Sequence, residues 1–90
     1  MELLEVFVHP GCLSEASART LANELQPLCS DLTIHIRSLL ESQDRADALG
    51  IIVTPAFVFN GKLIAVGVPR KEWLMRRLYQ AGLNGRLAPQ

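Results

Sequence analysis

The chain carries two cysteines, Cys12 and Cys29, two histidines, His9 and His35, and a Thr54-Pro55 step just before a wholly apolar stretch. A cysteine pair fits one disulfide, half of a metal site, or one reactive thiol beside one buried bystander. His9, Cys12, Cys29 and His35 also add up to a Cys₂His₂ set, so zinc has to be weighed as well. Which of these is open depends on where the backbone carries each side chain.

Leu3-Leu4-Glu5-Val6-Phe7-Val8 is rich in β-formers and stops at His9-Pro10-Gly11, which predicts a strand and a sharp turn with Cys12 directly after it. Beyond it, Ala16, Leu21, Leu25 and Leu28 share one stripe while Glu15, Arg19 and Glu24 face away. That spacing predicts an amphipathic helix over Leu13–Leu28, with Pro27 in its last turn. Leu32 to Arg37 alternates apolar with polar, the pattern of an edge strand, and puts His35 on the surface side. Ser42 is placed to cap a short helix over Gln43–Leu49 that Gly50 ends, and Ile51-Ile52-Val53 then leads into Thr54-Pro55.

Ala56-Phe57-Val58-Phe59 is apolar at every position and predicts a strand covered on both faces. Asn60-Gly61 both tolerate positive φ, so a type I′ hairpin should join it to Leu63–Val66. Pro69 opens a last helix that runs to about Ala81 and stops at Gly82, with Trp73, Leu74, Leu78 and Tyr79 packing on the sheet. Leu83 to Gln90 reads as a short tail. The order β-α-β-α-β-β-α describes an α/β fold in a single domain, residues 1–90. Its first two strands are parallel across a right-handed crossover, its last two form an antiparallel hairpin, and helices cover both faces of a mixed four-stranded sheet.

On that frame the candidate residues separate. A helix of about 16 residues is roughly 24 Å long, whereas a disulfide needs Cα atoms within about 7 Å, so Cys12 and Cys29 at its two ends cannot pair. The same gap divides His9 and Cys12 from Cys29 and His35, and one metal ion cannot span it. Cys29 then reads as a small buried apolar residue. Cys12 stands at the first turn of a helix, where unpaired N–H groups and the helix dipole favour a thiolate. Thr54-Pro55 precedes the most buried strand, a place where proline is tolerated and is often cis.

These pieces together resemble the thioredoxin fold, in the form of small thioredoxin-like, glutaredoxin-sized proteins without the extra N-terminal strand and helix. The matching stretches are Val6-Phe7-Val8-His9-Pro10-Gly11-Cys12, Leu49-Gly50-Ile51 leading to Thr54-Pro55-Ala56, Phe59-Asn60-Gly61-Lys62, and Gly67-Val68-Pro69. The resemblance implies a nucleophilic Cys12 packed against cis-Pro55. It also implies a backbone at Val53 and Thr54 that pairs with an extended peptide or a glutathione moiety. The family's Cys-x-x-Cys is altered here to Cys12-Leu13-Ser14-Glu15, and a carboxylate cannot resolve a mixed disulfide as a second thiolate does.

Two modulating residues flank the thiol. Glu15 either reaches back to the Cys12 N–H as in a capping box, or sets a negative charge one turn from the sulfur that restrains thiolate formation. His9 either stabilises the thiolate and moves its proton, or is a strand-terminal histidine facing water.

Composition narrows the partners. Nine basic and nine acidic residues leave a formal charge of zero, which gives no reason to expect nucleic acid or an anionic membrane as a partner. No apolar run approaches the roughly 18 residues of a membrane span, and Glu2 and Glu5 stand where a signal peptide would carry positive charge, so a cytoplasmic protein is expected. The six glycines are scattered and form no phosphate loop; no cofactor and no metal are expected. Two functions remain: a monothiol redox protein acting on protein thiols or glutathione through Cys12, and a redox-inactive module holding a peptide or partner protein beside Pro55.

Overall fold

The computed structural model describes residues 2–83. Its elements are β1 (Glu2–Val8), α1 (Leu13–Leu25), β2 (Leu32–Ser38), α2 (Gln43–Ala48), β3 (Ala56–Phe59), β4 (Lys62–Val66) and α3 (Lys71–Gln80). The four strands form one sheet in the order β2-β1-β3-β4. β1 runs parallel to β2, from Glu2 opposite Leu32 to Val8 opposite Ser38, and antiparallel to β3, from Leu4 opposite Phe59 to Phe7 opposite Ala56. β3 and β4 form the antiparallel hairpin, with an irregularity between Phe57 and Val58 that leaves Ile64 without a partner in the register.

Alternation along β1 and β3 feeds two cores. Leu4, Val6, Val8, Phe57 and Phe59 point to one face and pack with Ala18, Leu21 and Leu25 of α1 and Leu74 and Leu78 of α3. Phe7, Ala56 and Val58 point to the other and pack with Ala46 of α2 and Ile51. Helices therefore cover both faces, as the order of elements requires.

The hairpin follows the sequence signal. Asn60 and Gly61 have φ of 49° and 84°, both in the left-handed region that a type I′ turn demands. Asn60 also ties the turn to the central strand: its Oδ1 accepts the Leu3 N–H at 2.9 Å, and its own N–H donates to the Leu3 carbonyl at 2.9 Å. Replacing Asn60 by alanine removes the side-chain bond and puts a Cβ-bearing residue without a local polar partner at positive φ. The expected loss is about 1–2 kcal/mol in denaturant unfolding.

Four local expectations are corrected. The first helix ends at Leu25, not Leu28, because Pro27 supplies no N–H for an α-helical bond and Gln26–Leu28 tightens into a 3₁₀ turn. Its inward stripe is Ala18, Leu21, Ala22 and Leu25, the i, i+3, i+4, i+7 pattern, so Ala16 and Leu28 face water. Ser42 stands at the N-cap of α2 without a side-chain capping bond; its carbonyl takes the Ala46 N–H instead. On α3, Leu74 and Leu78 are buried and Tyr79 packs partly against the core, but Trp73 turns outward. The tail expected after Leu83 lies outside the described residues.

Candidate functional site

Strand direction determines which loops meet. The C-terminal ends of β1, β2 and β4 and the N-terminal end of β3 all lie at one end of the sheet. That end gathers residues 9–13, 39–42, 51–55 and 67–70, and backbone bonds fix the segments: Leu39 N–H to the Val8 carbonyl at 2.8 Å, and Gly67 N–H to the Pro55 carbonyl at 2.7 Å. Phe7 pairs with Ala56, so one step further the chain runs out toward Cys12 from one strand and back to Pro55 from the other. The Thr54–Pro55 peptide bond is cis. Pro55 is buried, Thr54 half-buried and Val53 exposed.

Cys12 is the N-cap of α1, with extended backbone (φ −75°, ψ 152°), and it is exposed. Its N–H donates to the His9 carbonyl at 3.1 Å, closing the 9–12 turn, while its own carbonyl accepts the Glu15 N–H at 3.1 Å. The turn consumes the N–H that a capping box would use. Glu15 therefore reaches one residue further: Oε1 accepts the Gly11 N–H at 3.0 Å, and Oε2 accepts from Arg19 at 3.0 and 3.1 Å. The Gly11 N–H, and after it Arg19, hold the Glu15 carboxyl below its ordinary range. A capping box onto Cys12 is thus replaced by a clamp on the residue before it. His9 contributes mainly through its carbonyl; its imidazole is exposed, with Nδ1 3.3 Å from the Pro10 oxygen.

Around the thiol lies a rim that periodicity did not single out. Leu13 is 96% and Ile52 92% exposed, and Val53, Leu40 and Val68 are also uncovered, each carried by a segment at this end of the sheet. Scattered exposed apolar residues are ordinary, but these five all stand on segments that meet at the end of the sheet that carries Cys12. The available signal was Leu13 standing off the α1 stripe and two aliphatics, Ile52 and Val53, between a helix stop and a proline.

The other cysteine is remote. Cys29 follows the 3₁₀ turn at the far end of α1, is 6% exposed within the larger core, and burial pushes its thiol up. His35 is exposed in the middle of β2, and among the described residues no three His, Cys, Asp or Glu side chains gather as a metal site would need. No helix among these residues is long and apolar enough to cross a membrane. An alkylating agent is expected to modify the folded protein once, at Cys12. Cys29 should react at least about 100-fold more slowly until denaturant opens the core, as tryptic mass mapping would show.

A buried carboxylate on the other face of the sheet was not anticipated. Glu5 is 1% exposed in β1, on the α2 face. Arg45 of α2 grips it with two bonds, Nε to Oε2 at 2.7 Å and Nη2 to Oε1 at 2.8 Å, and Arg37 of β2 adds a third at 2.6 Å. The Arg45 bonds, then those of Arg37, outweigh burial and hold the Glu5 carboxyl below its ordinary value. This triad fastens α2 to the sheet, and α2 in turn sets the start of the 51–55 segment, because the Ile51 N–H donates to the Ala46 carbonyl at 2.9 Å.

No protein-family model matches the chain, and no curated protein matches its sequence. Solved structures do resemble it. One, on the thiol resolving mechanism of yeast mitochondrial 1-Cys peroxiredoxin via the glutathione/thioredoxin systems, aligns at 20% identity over 88% of this chain and 77% of that chain, with a TM-score of 0.74. Oxidised mitochondrial thioredoxin 3 from Saccharomyces cerevisiae gives the same identity, coverage and TM-score. A thioredoxin from Nicotiana alata aligns at 19% identity over 88% and 71%, with a TM-score of 0.75. At such identities the likeness establishes the fold, which is thioredoxin-like, and leaves the chemistry to be argued from the residues.

Proposed function

We propose that this thioredoxin-like chain performs monothiol thiol–disulfide exchange through Cys12, with the substrate docked along Val53 and Thr54 beside Pro55. One observation carries the reading: the exposed cysteine, at the start of α1, shares an end of the sheet with the Thr54–Pro55 turn and an apolar rim. Among the described residues, the backbone N–H and C=O groups of Val53 and Thr54 are engaged by nothing else in the chain, so an extended substrate can pair with them.

In the first step the Cys12 thiolate attacks one sulfur of a substrate disulfide. A Cys12–substrate disulfide forms, the original S–S bond breaks, and its electron pair leaves with the departing thiolate. Glu15 cannot resolve this adduct and Cys29 cannot reach it. An external thiol, either glutathione or a protein thiol, therefore attacks the substrate sulfur of the adduct as its thiolate: a new disulfide joins it to the substrate, the Cys12–substrate bond breaks, and Cys12 leaves as thiolate. His9 and Glu15 modulate the step by shaping the turn that carries the sulfur.

The reading is tested with a glutathione mixed disulfide of a small thiol, supplied with excess glutathione. Turnover is expected, to vanish in Cys12→Ser, and to show a raised KM in Pro55→Ala with the alkylation rate of Cys12 unchanged. A Cys12 that alkylates like free cysteine over the whole pH range, with no turnover, would remove it. The apolar rim itself favours a second reading, a redox-inactive module that binds a peptide or partner protein in the same place. In that case a recovered partner survives Cys12→Ser and is lost in Pro55→Ala.

A further inference from the structure

The formal charge of zero conceals a segregation. On α3 and its N-cap, Arg70, Lys71, Arg76 and Arg77 stand against one acid, Glu72. None of these four cations is in an ion pair among the described residues. Trp73, the chain's one tryptophan, is 44% exposed in their midst. Positions three before, three after and four after a helical residue are its surface neighbours, so Arg70, Arg76 and Arg77 border the indole. The α2 side has the opposite character. Glu41, Asp44 and Asp47 are exposed, Asp47 is met only by the neutral amide of Gln43, and Arg45 is committed to Glu5. These two surfaces lie on opposite faces of the sheet.

We propose that they are the two halves of one head-to-tail interface: the Arg70–Trp73–Arg76–Arg77 stripe of one copy docks on the Glu41–Asp44–Asp47 surface of a second copy. Charge complementarity selects this occupant. A chain of zero net charge sets up no long-range repulsion between copies, and its own α2 side carries the acidic surface that complements the stripe. Tryptophan and arginine are also the side chains that most often anchor protein–protein contacts. Because the contact joins different surfaces, each pair leaves one free α3 and one free α2, and association continues into short chains with rising concentration. This is independent of Cys12 chemistry.

Sedimentation of the protein, kept reduced by excess thiol so that no disulfide contributes, tests it. In low salt the mean mass should rise with concentration while Trp73 emission shifts to shorter wavelength. Raising salt from about 20 to about 300 mM shortens the screening length from about 20 to about 6 Å and should weaken association at least tenfold. Arg76→Glu/Arg77→Glu and Asp44→Lys/Asp47→Lys are each expected to be monomeric. Mixed together they should associate again, since the intact stripe of one meets the intact acidic surface of the other and the two reversed surfaces are likewise of opposite charge. Should a double reversal unfold the chain, Arg76→Ala and Asp44→Ala carry the same comparison. A monomer at every concentration in low salt, association that survives either pair of changes, or a mixture that stays monomeric would overturn the proposal.

Discussion

Replacing Arg37 and Arg45 together by methionine is expected to remove a large share of the protein's stability. The change leaves the Glu5 carboxylate in a strand where it is 1% exposed, with neither of its cations. Stripping the partners from a buried charge costs about 3–5 kcal/mol, against a total of roughly 5–13 kcal/mol for a chain of this length. The single variants should rank, with Arg45→Met worse than Arg37→Met, because Arg45 makes two of the three bonds. Both should be well short of the double variant, since each arginine is itself about a third or more open to water, where screening reduces its contribution.

The sign of the pH dependence separates charge from packing. In the parent protein the Glu5 carboxyl is held below its unfolded value, so its contribution is fully present above that value and is lost as pH falls through the lower, folded one. Without the arginines burial alone remains, and it raises the carboxyl above its unfolded value. Acidification through that range then stabilises the double variant relative to its own neutral-pH state. Urea midpoints measured from about pH 7 down to pH 3 should therefore converge, with the difference between parent and variant shrinking as pH falls. A constant difference would mean that lost packing, not an orphaned carboxylate, causes the loss. Adding Glu5→Leu to the double variant should recover much of the stability.

Glu15→Cys is the second change with a large expected effect. Cys12 is the N-cap of α1 and Glu15 is three residues further on, in the first turn, so the substitution puts a second thiol where a mixed disulfide at Cys12 can be attacked from within the chain. Reduction of insulin by dithiothreitol is expected to rise at least about tenfold over the parent protein, and to fall back to background when Cys12→Ser is added. The substitution also gives up the Gly11 N–H bond and the Arg19 pair, which loosens the turn without touching the core. Insulin reduction no faster than in the parent would mean that Cys12 is not placed to attack a protein disulfide.

How far the sequence carried depended on whether a signal was local. The Asn60-Gly61 turn, the alternation of Leu32 to Arg37 and the unbroken apolar run Ala56–Phe59 each encode their own conformation, and each is found where it was read. The thiol and the proline were brought together by the resemblance and by no local signal; in the structure they share an end of the sheet because β1 and β3 are antiparallel neighbours. Glu5 was hidden for the same reason: in a β-rich run it reads as the polar member of an alternating strand. Its partners lie 32 and 40 residues away and are recognisable only once β1 and β2 are aligned and α2 is laid over them. Trp73 was misplaced because its size and its place beside Leu74 suit a core. Whether a large apolar side chain is covered is settled by neighbours from other elements.

β1 sits inside the sheet, yet the ribosome delivers it well before the strands that flank it. Val8 is made about 24 residues before Leu32 opens its parallel partner and about 48 before Ala56 opens the antiparallel one, so at roughly 5–20 residues per second the wait for complete pairing is several seconds. During that interval Leu3, Leu4, Val6, Phe7 and Val8 form a sticky apolar segment with both backbone edges vacant, the kind of stretch that recruits other nascent chains. A carboxylate in its midst discourages such stacking while the strand is bare. The same Glu5 that needs two arginines once it is enclosed thus guards the growing chain before either helix α2 or strand β3 has arrived.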